Sequence, residues 1–402
     1  MPFGALGILA FVVYPDRLLV LSPAERQGGG YTWKVLNFDL PKFLGAILSE
    51  APRAGDVLLA VGVPPQVQVD GSLVRLQLPG LERLTPFQTE AVVAHLLAQA
   101  SPAAAARVRS EGAAHFAYSV PGVNRFRVAV FSQRGTFAVS LRRIPEKVPT
   151  LAELRLPAAM RDACRERNGI VVVSGPADSG RTTSLAAMLA EVNATRSCHV
   201  VTVEDPIEFL HRHGKSTINQ REVGIDTPTL LQGLASGLRQ GAHVLLVSEP
   251  RDAEQANLLL ETAETGHLVF TSLRGFDTAS SLARLLSLFP AEERQEVRSR
   301  LARVLRWAFT QQLVTHRDGR HAVVEVWRST RATALHLAEG PLNSMALADL
   351  LRDGEQDGQV GFDRELERRV RAGEIDVDTA VAGAVLPRQL ELRLLDLRRG
   401  ES

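Results

Sequence analysis

The run Ile170-Val171-Val172-Val173-Ser174-Gly175-Pro176-Ala177-Asp178-Ser179-Gly180-Arg181-Thr182-Thr183 decides the fold of this chain. A continuous apolar segment is followed by a glycine-rich turn, and then by a helical pattern that continues through Ala190. This is the strand–loop–helix context that a phosphate-binding loop needs. Its glycines let the backbone curl so that N–H groups point inward, and the helix N-terminus adds the positive end of a dipole. Gly175, Ser179, Gly180, Arg181, Thr182 and Thr183 are the candidate phosphate contacts, and the Thr182 hydroxyl is a candidate ligand for Mg²⁺. The pattern G-x-x-x-x-G-K-[ST] is met everywhere except at its lysine, where Arg181 stands. A guanidinium keeps the charge but is a bulkier, planar fork. Asp178 also places a carboxylate on the loop, which repels polyphosphate unless it points outward.

Outward from this loop, further short apolar runs recur at His199–Val203, Val244–Val247 and His267–Phe270, with helical stretches between them. Buried strands alternating with helices predict an α/β domain with a largely parallel sheet. Upstream, Leu40–Leu48 reads as a short helix and Thr85–Ala100 as a longer one. Gln66–Val69 and Leu73–Leu76 flank Asp70-Gly71, a hairpin signal because both turn residues tolerate positive φ. Arg125–Phe131 alternates like a strand with one buried face, and Thr136–Leu141 is its expected partner. Pro145–Pro157 reads as a connection. Beyond Gly340 the pattern is helical and charged. The expected organisation is an N-terminal extension over 1–38, an α+β domain over 39–150, an α/β core over 151–340 and a helical region over 341–402.

The 402 residues are 45% hydrophobic and 23% charged, the mix of a soluble globular protein. Two cysteines, Cys164 and Cys198, exclude a disulfide scaffold and a four-cysteine zinc site. A net charge of +1 gives no global electrostatic case for a nucleic-acid partner. Apart from Lys34, Lys42, Lys147 and Lys215, every basic side chain is arginine. The longest apolar run, Phe3–Tyr14, is shorter than the roughly 20 residues that span a bilayer and lacks the basic flank of a signal peptide. The expectation is a cytoplasmic protein without membrane insertion, held near the inner membrane only through partners.

Three further boxes follow the loop in order: Val203-Glu204-Asp205-Pro206-Ile207-Glu208-Phe209, Leu246-Val247-Ser248-Glu249-Pro250-Arg251-Asp252, and Ala263-Glu264-Thr265-Gly266-His267-Leu268-Val269-Phe270. Hydrolysis of a phosphoanhydride needs a carboxylate to take a proton from water. Glu204 and Glu249 each follow an apolar strand, the end of a parallel sheet where ligands bind. The four boxes together, with Ile218–Gly224, resemble the PilT family, hexameric P-loop motors that retract type IV pili, within the type II/IV secretion ATPases. The likeness covers roughly residues 40–380. It implies a RecA-like core behind a PAS-like N-terminal domain, ATP and Mg²⁺ as cofactors, Glu208 as general base, and Glu249 as the Walker B acid near the metal. It also implies a supporting part for Glu204, and γ-phosphate sensing by His267. Val63-Pro64-Pro65 and Val120-Pro121-Gly122 before Arg125-Phe126-Arg127 resemble that N-terminal domain. In the family, arginines there approach the nucleotide at a subunit boundary; Arg127 and Arg142 are the candidates here.

Several family positions are altered. The usual Leu-His-Thr-Asn stretch reads Leu273-Arg274-Gly275-Phe276. Ser-Asp-Leu-His-Leu reads Gly55-Asp56-Val57-Leu58-Leu59, and the Ala-Ile-Arg-Glu-like segment reads Leu335–Gly340. Arg251 and Lys215 are the alternatives for the missing loop lysine. Lack of a tetracysteine site favours the retraction branch over the extension and type II secretion branches. The resemblance therefore implies a retraction-type ATPase in a homo- or hetero-hexamer, acting on an inner-membrane pilus platform protein, with hydrolysis weakened by the altered loop. A second reading is an inactive paralogue that modulates a true retraction motor. A third, a DNA-translocating RecA-like motor, is disfavoured because the pilus-type boxes are present and no basic, aromatic strand-binding segment is apparent.

Overall fold

In a computed structural model the chain divides into two compact units, Met1–Glu146 and Lys147–Ser402. The structure describes residues 10–13, 18–27, 30–69, 72–78, 81–120, 123–145, 147–316 and 319–398.

In the first unit, β1 (Ala10–Val13), β2 (Leu18–Gln27) and β3 (Gly30–Phe38) form an antiparallel sheet. The expected N-terminal extension is thus paired β-structure where it is described. Helix α1 (Leu40–Glu50) begins at Asp39, whose carboxylate accepts the Lys42 N–H. There follow β4 (Asp56–Leu59), β5 (Gln66–Val69), β6 (Ser72–Arg75), α2 (Pro86–Gln99), α3 (Pro102–Glu111), β7 (Ala113–Val120), β8 (Asn124–Gln133) and β9 (Thr136–Ile144). The strands lie in the order β6-β5-β4-β9-β8-β7, all pairs antiparallel. The alternation on β8 buries Phe126, Val128 and Val130 on one face. Helix α2 starts in a capping box of Thr85 and Gln88. β5 and β6 pair from Val69 opposite Ser72; the Asp70-Gly71 turn and Pro121-Gly122 lie outside the described residues.

The second unit holds α4 (Ala158–Ala163), β10 (Gly169–Ser174), α5 (Arg181–Thr195), β11 (His199–Glu204), β12 (Thr217–Glu222), α6 (Leu230–Arg239), β13 (Val244–Val247), α7 (Ala253–Glu264), β14 (Leu268–Leu273), α8 (Thr278–Ser287), α9 (Arg294–Val304), β15 (Leu305–His316) and β16 (Gly319–Arg328). Its strands form one sheet in the order β12-β11-β13-β14-β10-β15-β16, parallel throughout except for the β15–β16 pair. Every residue of β10 and β13 is buried, which is why these strands read as unbroken apolar runs. One core lies on each face of the sheet. Val201, Leu245 and Val269 belong to one, and Val171, Val173 and Phe270 to the other. The segment expected as a connection joins this unit: Leu151 is buried with Met160 and Val171. The helices after β16 belong to it as well. Phe362, Leu366 and Leu390 pack against Val314 and Val323 of the β15–β16 hairpin. The chain is an α/β protein with a RecA-like core, an α+β N-terminal unit and a helical C-terminal region. Among the described residues no helix is long and apolar enough to cross a membrane.

Candidate active site

Because β10, β11, β13 and β14 are parallel, the loops at their carboxyl ends gather on one edge of the sheet. The glycine-rich loop follows β10. Its first glycine is obligatory by contact: a Cβ on Gly175 would stand 2.3 Å from the Gln311 carbonyl oxygen and 2.4 Å from Ser179 Oγ. Asp178 takes the left-handed region, φ 58°, and is exposed. Gly180 caps α5 with no side-chain hydrogen bond. The first N–H groups of α5 therefore form an open, positive terminus. Ser179 is 2% exposed, and its Oγ is buried without a hydrogen-bond partner. A buried, unsatisfied hydroxyl beside an uncapped helix start is chemistry that fits a phosphate.

Gln311 on β15 holds this loop in place. Its Nε2 donates to the Ser179 carbonyl at 2.7 Å, and its Oε1 accepts the Ser184 hydroxyl at 2.8 Å. Sequence reasoning missed this residue. No motif marks it, and it stands in a strand that mixes apolar and polar residues.

Arg181 reaches the ends of β14 and β13. Its Nη1 donates to the Leu273 carbonyl at 2.9 Å, at the end of β14, and stands 3.7 Å from Glu249 Oε2. Burial pushes its pKa down, and the Glu249 charge opposes that. Two more arginines meet the same carboxylate: Arg274 Nε at 3.1 Å from Oε2 and Arg284 Nε at 3.6 Å from Oε1. Arg284, on α8, was not foreseen; it lies ten positions beyond Arg274 and outside every box. Three guanidiniums thus converge on Glu249 after β13.

Glu204 ends β11. It is 7% exposed and accepts the Thr202 hydroxyl at 2.6 Å and Gln220 Nε2 at 3.0 Å, both on Oε1. Burial pushes its pKa up to about 7 against those two hydrogen bonds, with the Glu208 and Glu222 charges adding to the rise. Glu208, four residues on, is exposed, and its charge also acts on Arg181. Asp205 is paired with Arg251 at 2.9 Å, and its N–H donates to Ser248 Oγ, tying the β11 and β13 ends together. Arg251 is thus held at this edge by Asp205. Lys215 is not the substitute for the loop lysine: it lies just before β12, at the amino-terminal edge. Thr182 and Thr183 are partly buried on the first turn of α5.

His267 is the correction. It precedes β14, and its carbonyl accepts the Gly169 N–H at the start of β10. Its ring contacts the Thr262 carbonyl at 3.1 Å and Thr265 Oγ1 at 3.2 Å. The length of β14, roughly 20 Å at about 3.3 Å per residue, separates it from the loop edge within this chain. Arg127 and Arg142 belong to the first unit. Arg127 on β8 stands opposite Arg142 on β9, which stands opposite Asp56 on β4. Arg142 donates to the Asp56 carboxylate through Nε and Nη2, each at 3.1 Å.

The family description "Type II/IV secretion system protein" matches residues 66–341. The type IV pilus retraction ATPase PilT of Pseudomonas aeruginosa is 37% identical over 336 residues, 83% of this chain and 95% of that one. The chain belongs to the PilT-like type II/IV secretion ATPase family. Within this family, the type IV pilus ATPase PilU of the same organism is 33% identical over 341 residues, covering 84% of this chain and 87% of that one. Among solved structures, the pilus retraction motor PilT with bound ADP superposes with a TM-score of 0.79 at 31% identity, covering 88% of this chain and 99% of that one. The Legionella pneumophila ATPase DotB gives a TM-score of 0.73 at 27% identity, covering 86% and 96%.

Proposed function

We propose that this chain is the subunit of a retraction-type pilus motor that binds ATP on the Gly175–Thr183 loop and hydrolyses it slowly. The observation that carries this reading is the convergence, on one sheet edge, of an open helix start, the unpartnered Ser179 hydroxyl, Arg181, and the carboxylates Glu204 and Glu249. Kinship to PilT and PilU supports the cellular role.

The backbone of the loop receives the phosphates, and Ser179, Thr182 and Thr183 supply hydroxyls. Glu208 takes the proton from the attacking water. Its exposure and its closeness to the Arg181 charge suit that part. The guanidiniums stabilise the charge that develops on the transferred phosphoryl group. Arg127 and Arg142 serve a neighbouring subunit's nucleotide in a hexameric ring, and movement between subunits acts on an inner-membrane platform protein. Thr182 and Glu249 are the ligands expected for Mg²⁺. The residues present do not fit it well: both Glu249 oxygens are already engaged by arginine. That engagement is the reason for slow turnover.

Deleting the gene in its host tests the role. The expected outcome is cells that assemble surface pili but no longer move by twitching, with movement restored by the wild-type chain. Cells that fail to assemble pili, or that twitch normally, contradict it.

A further inference from the structure

Glu249 sits where a magnesium-binding carboxylate belongs, yet it is surrounded by cations. Arg181 and Arg274 share Oε2, and Arg284 takes Oε1. A carboxylate binds Mg²⁺ at about 2.0–2.1 Å through its oxygen lone pairs, and Mg²⁺ gives up its water reluctantly. Here the ion would compete with the Arg274 hydrogen bond on Oε2 and enter a place where three like charges already stand around the carboxylate. Glu208 offers one compensating negative charge, and Asp205 is spent on Arg251. A polyphosphate meets the opposite situation. It brings several negative charges to a carboxylate that is outnumbered by arginines, and guanidinium forks match phosphate oxygens two at a time. Arg274 and Arg284 have exposed side chains, 63% and 58%, so both can swing from Glu249 to an arriving phosphate. Arg181 is partly buried and anchored on the Leu273 carbonyl, so it stays.

We propose that this site takes its nucleotide as the metal-free polyphosphate anion, with Arg274 and Arg284 supplying the positive charge that magnesium supplies in related sites. The inference rests on the loop being a nucleotide site, and its test separates the two. It also gives a use to Leu273-Arg274-Gly275-Phe276, the stretch that departs from the family pattern.

The experiment is a titration of the purified full-length chain with a fluorescent ATP analogue, in excess EDTA and in excess MgCl₂. The expected dissociation constants differ by less than about threefold between the two buffers. A larger loss of affinity in EDTA overturns the inference and leaves an ordinary magnesium-dependent site. No binding in either buffer overturns the nucleotide reading itself. The double variant Arg274→Ala, Arg284→Ala, checked for folding by circular dichroism, is expected to bind at least about tenfold more weakly in EDTA, with MgCl₂ restoring most of that loss. An equal loss in both buffers assigns the two arginines a merely structural part and contradicts their role as the metal's replacement. The wild-type comparison stands even if the double variant does not fold.

Discussion

Arg181 and Glu204 show how single side chains set the character of this site. Arg181 reaches past the loop to the end of β14 and to Glu249. Replacing Arg181 with Ala removes the partly buried guanidinium and leaves the Leu273 carbonyl without that donor. We expect nucleotide affinity to fall by about tenfold or more, read by the same titration. Glu204 carries a pH signature. Its pKa is pushed up to about 7 in the folded chain, from 4.5. Below the unfolded value both states hold the proton, so the group contributes no difference. Between the two values the folded chain keeps a proton that the unfolded chain releases, so stability falls as pH rises from about 4.5 to about 7. Glu325, wholly buried and also raised to about 7, adds to the same drift. Glu204→Gln removes one share of it, because the amide oxygen can accept the same donors, Thr202 and Gln220. The variant should gain on the wild type by on the order of 2–3 kcal/mol between pH 5 and pH 8, measured by denaturant unfolding at each pH. An unchanged gap across that range contradicts the buried-acid account.

At the scale of elements, the loop depends on a strand that is distant in sequence. Gln311 of β15 bonds both the loop carbonyl of Ser179 and the helix hydroxyl of Ser184. Gln311→Ala leaves two buried groups unsatisfied and should cost about 1–3 kcal/mol of stability in denaturant unfolding, with weakened nucleotide binding. The buried strands of the core were legible because parallel strands covered on both faces need unbroken apolar runs. The same logic put Glu204 at the end of its strand and Glu249 just after its own. It also held the correction for His267, which precedes its strand and so stands at the other edge. Helix α3 and strand β7 were not read from the sequence, because Pro102–Glu111 is alanine-rich with little amphipathic contrast. The β15–β16 hairpin went unread as well. Its polar Thr310 and Gln311 are buried and break the apolar pattern. The convergence of three arginines on Glu249 lay beyond reach for another reason: it joins α5, α8 and the loop after β14, and only the tertiary fold brings them together.

For the whole molecule, the two units carry separate cores, with the first-unit core built on Leu40, Phe126 and Leu141 and the others confined to the second. The proposed ring gives the first unit a part in the neighbouring subunit's chemistry. The Arg142–Asp56 pair is exposed on the arginine side, 65%, so losing it costs little stability, within about 1 kcal/mol. Arg142→Ala should therefore lower turnover at least about tenfold in the assembled ring while leaving the thermal midpoint nearly unchanged. Equal turnover in mutant and wild-type rings would remove Arg142 from the chemistry. Mixed rings of Arg142→Ala and Glu208→Gln subunits should recover part of the activity, since some interfaces then carry both lesions and others, pairing the intact Glu208 of one variant with the intact Arg142 of the other, carry none.

The central claim is that this altered loop still holds and slowly cleaves a nucleotide. The measurement that tests it is phosphate release from ATP by the purified chain and by Glu208→Gln, with nucleotide binding recorded on the same samples. The account predicts slow release by the wild type, release lost in Glu208→Gln, and binding retained in both. Absence of binding by the wild type, or release that Glu208→Gln leaves untouched, contradicts it.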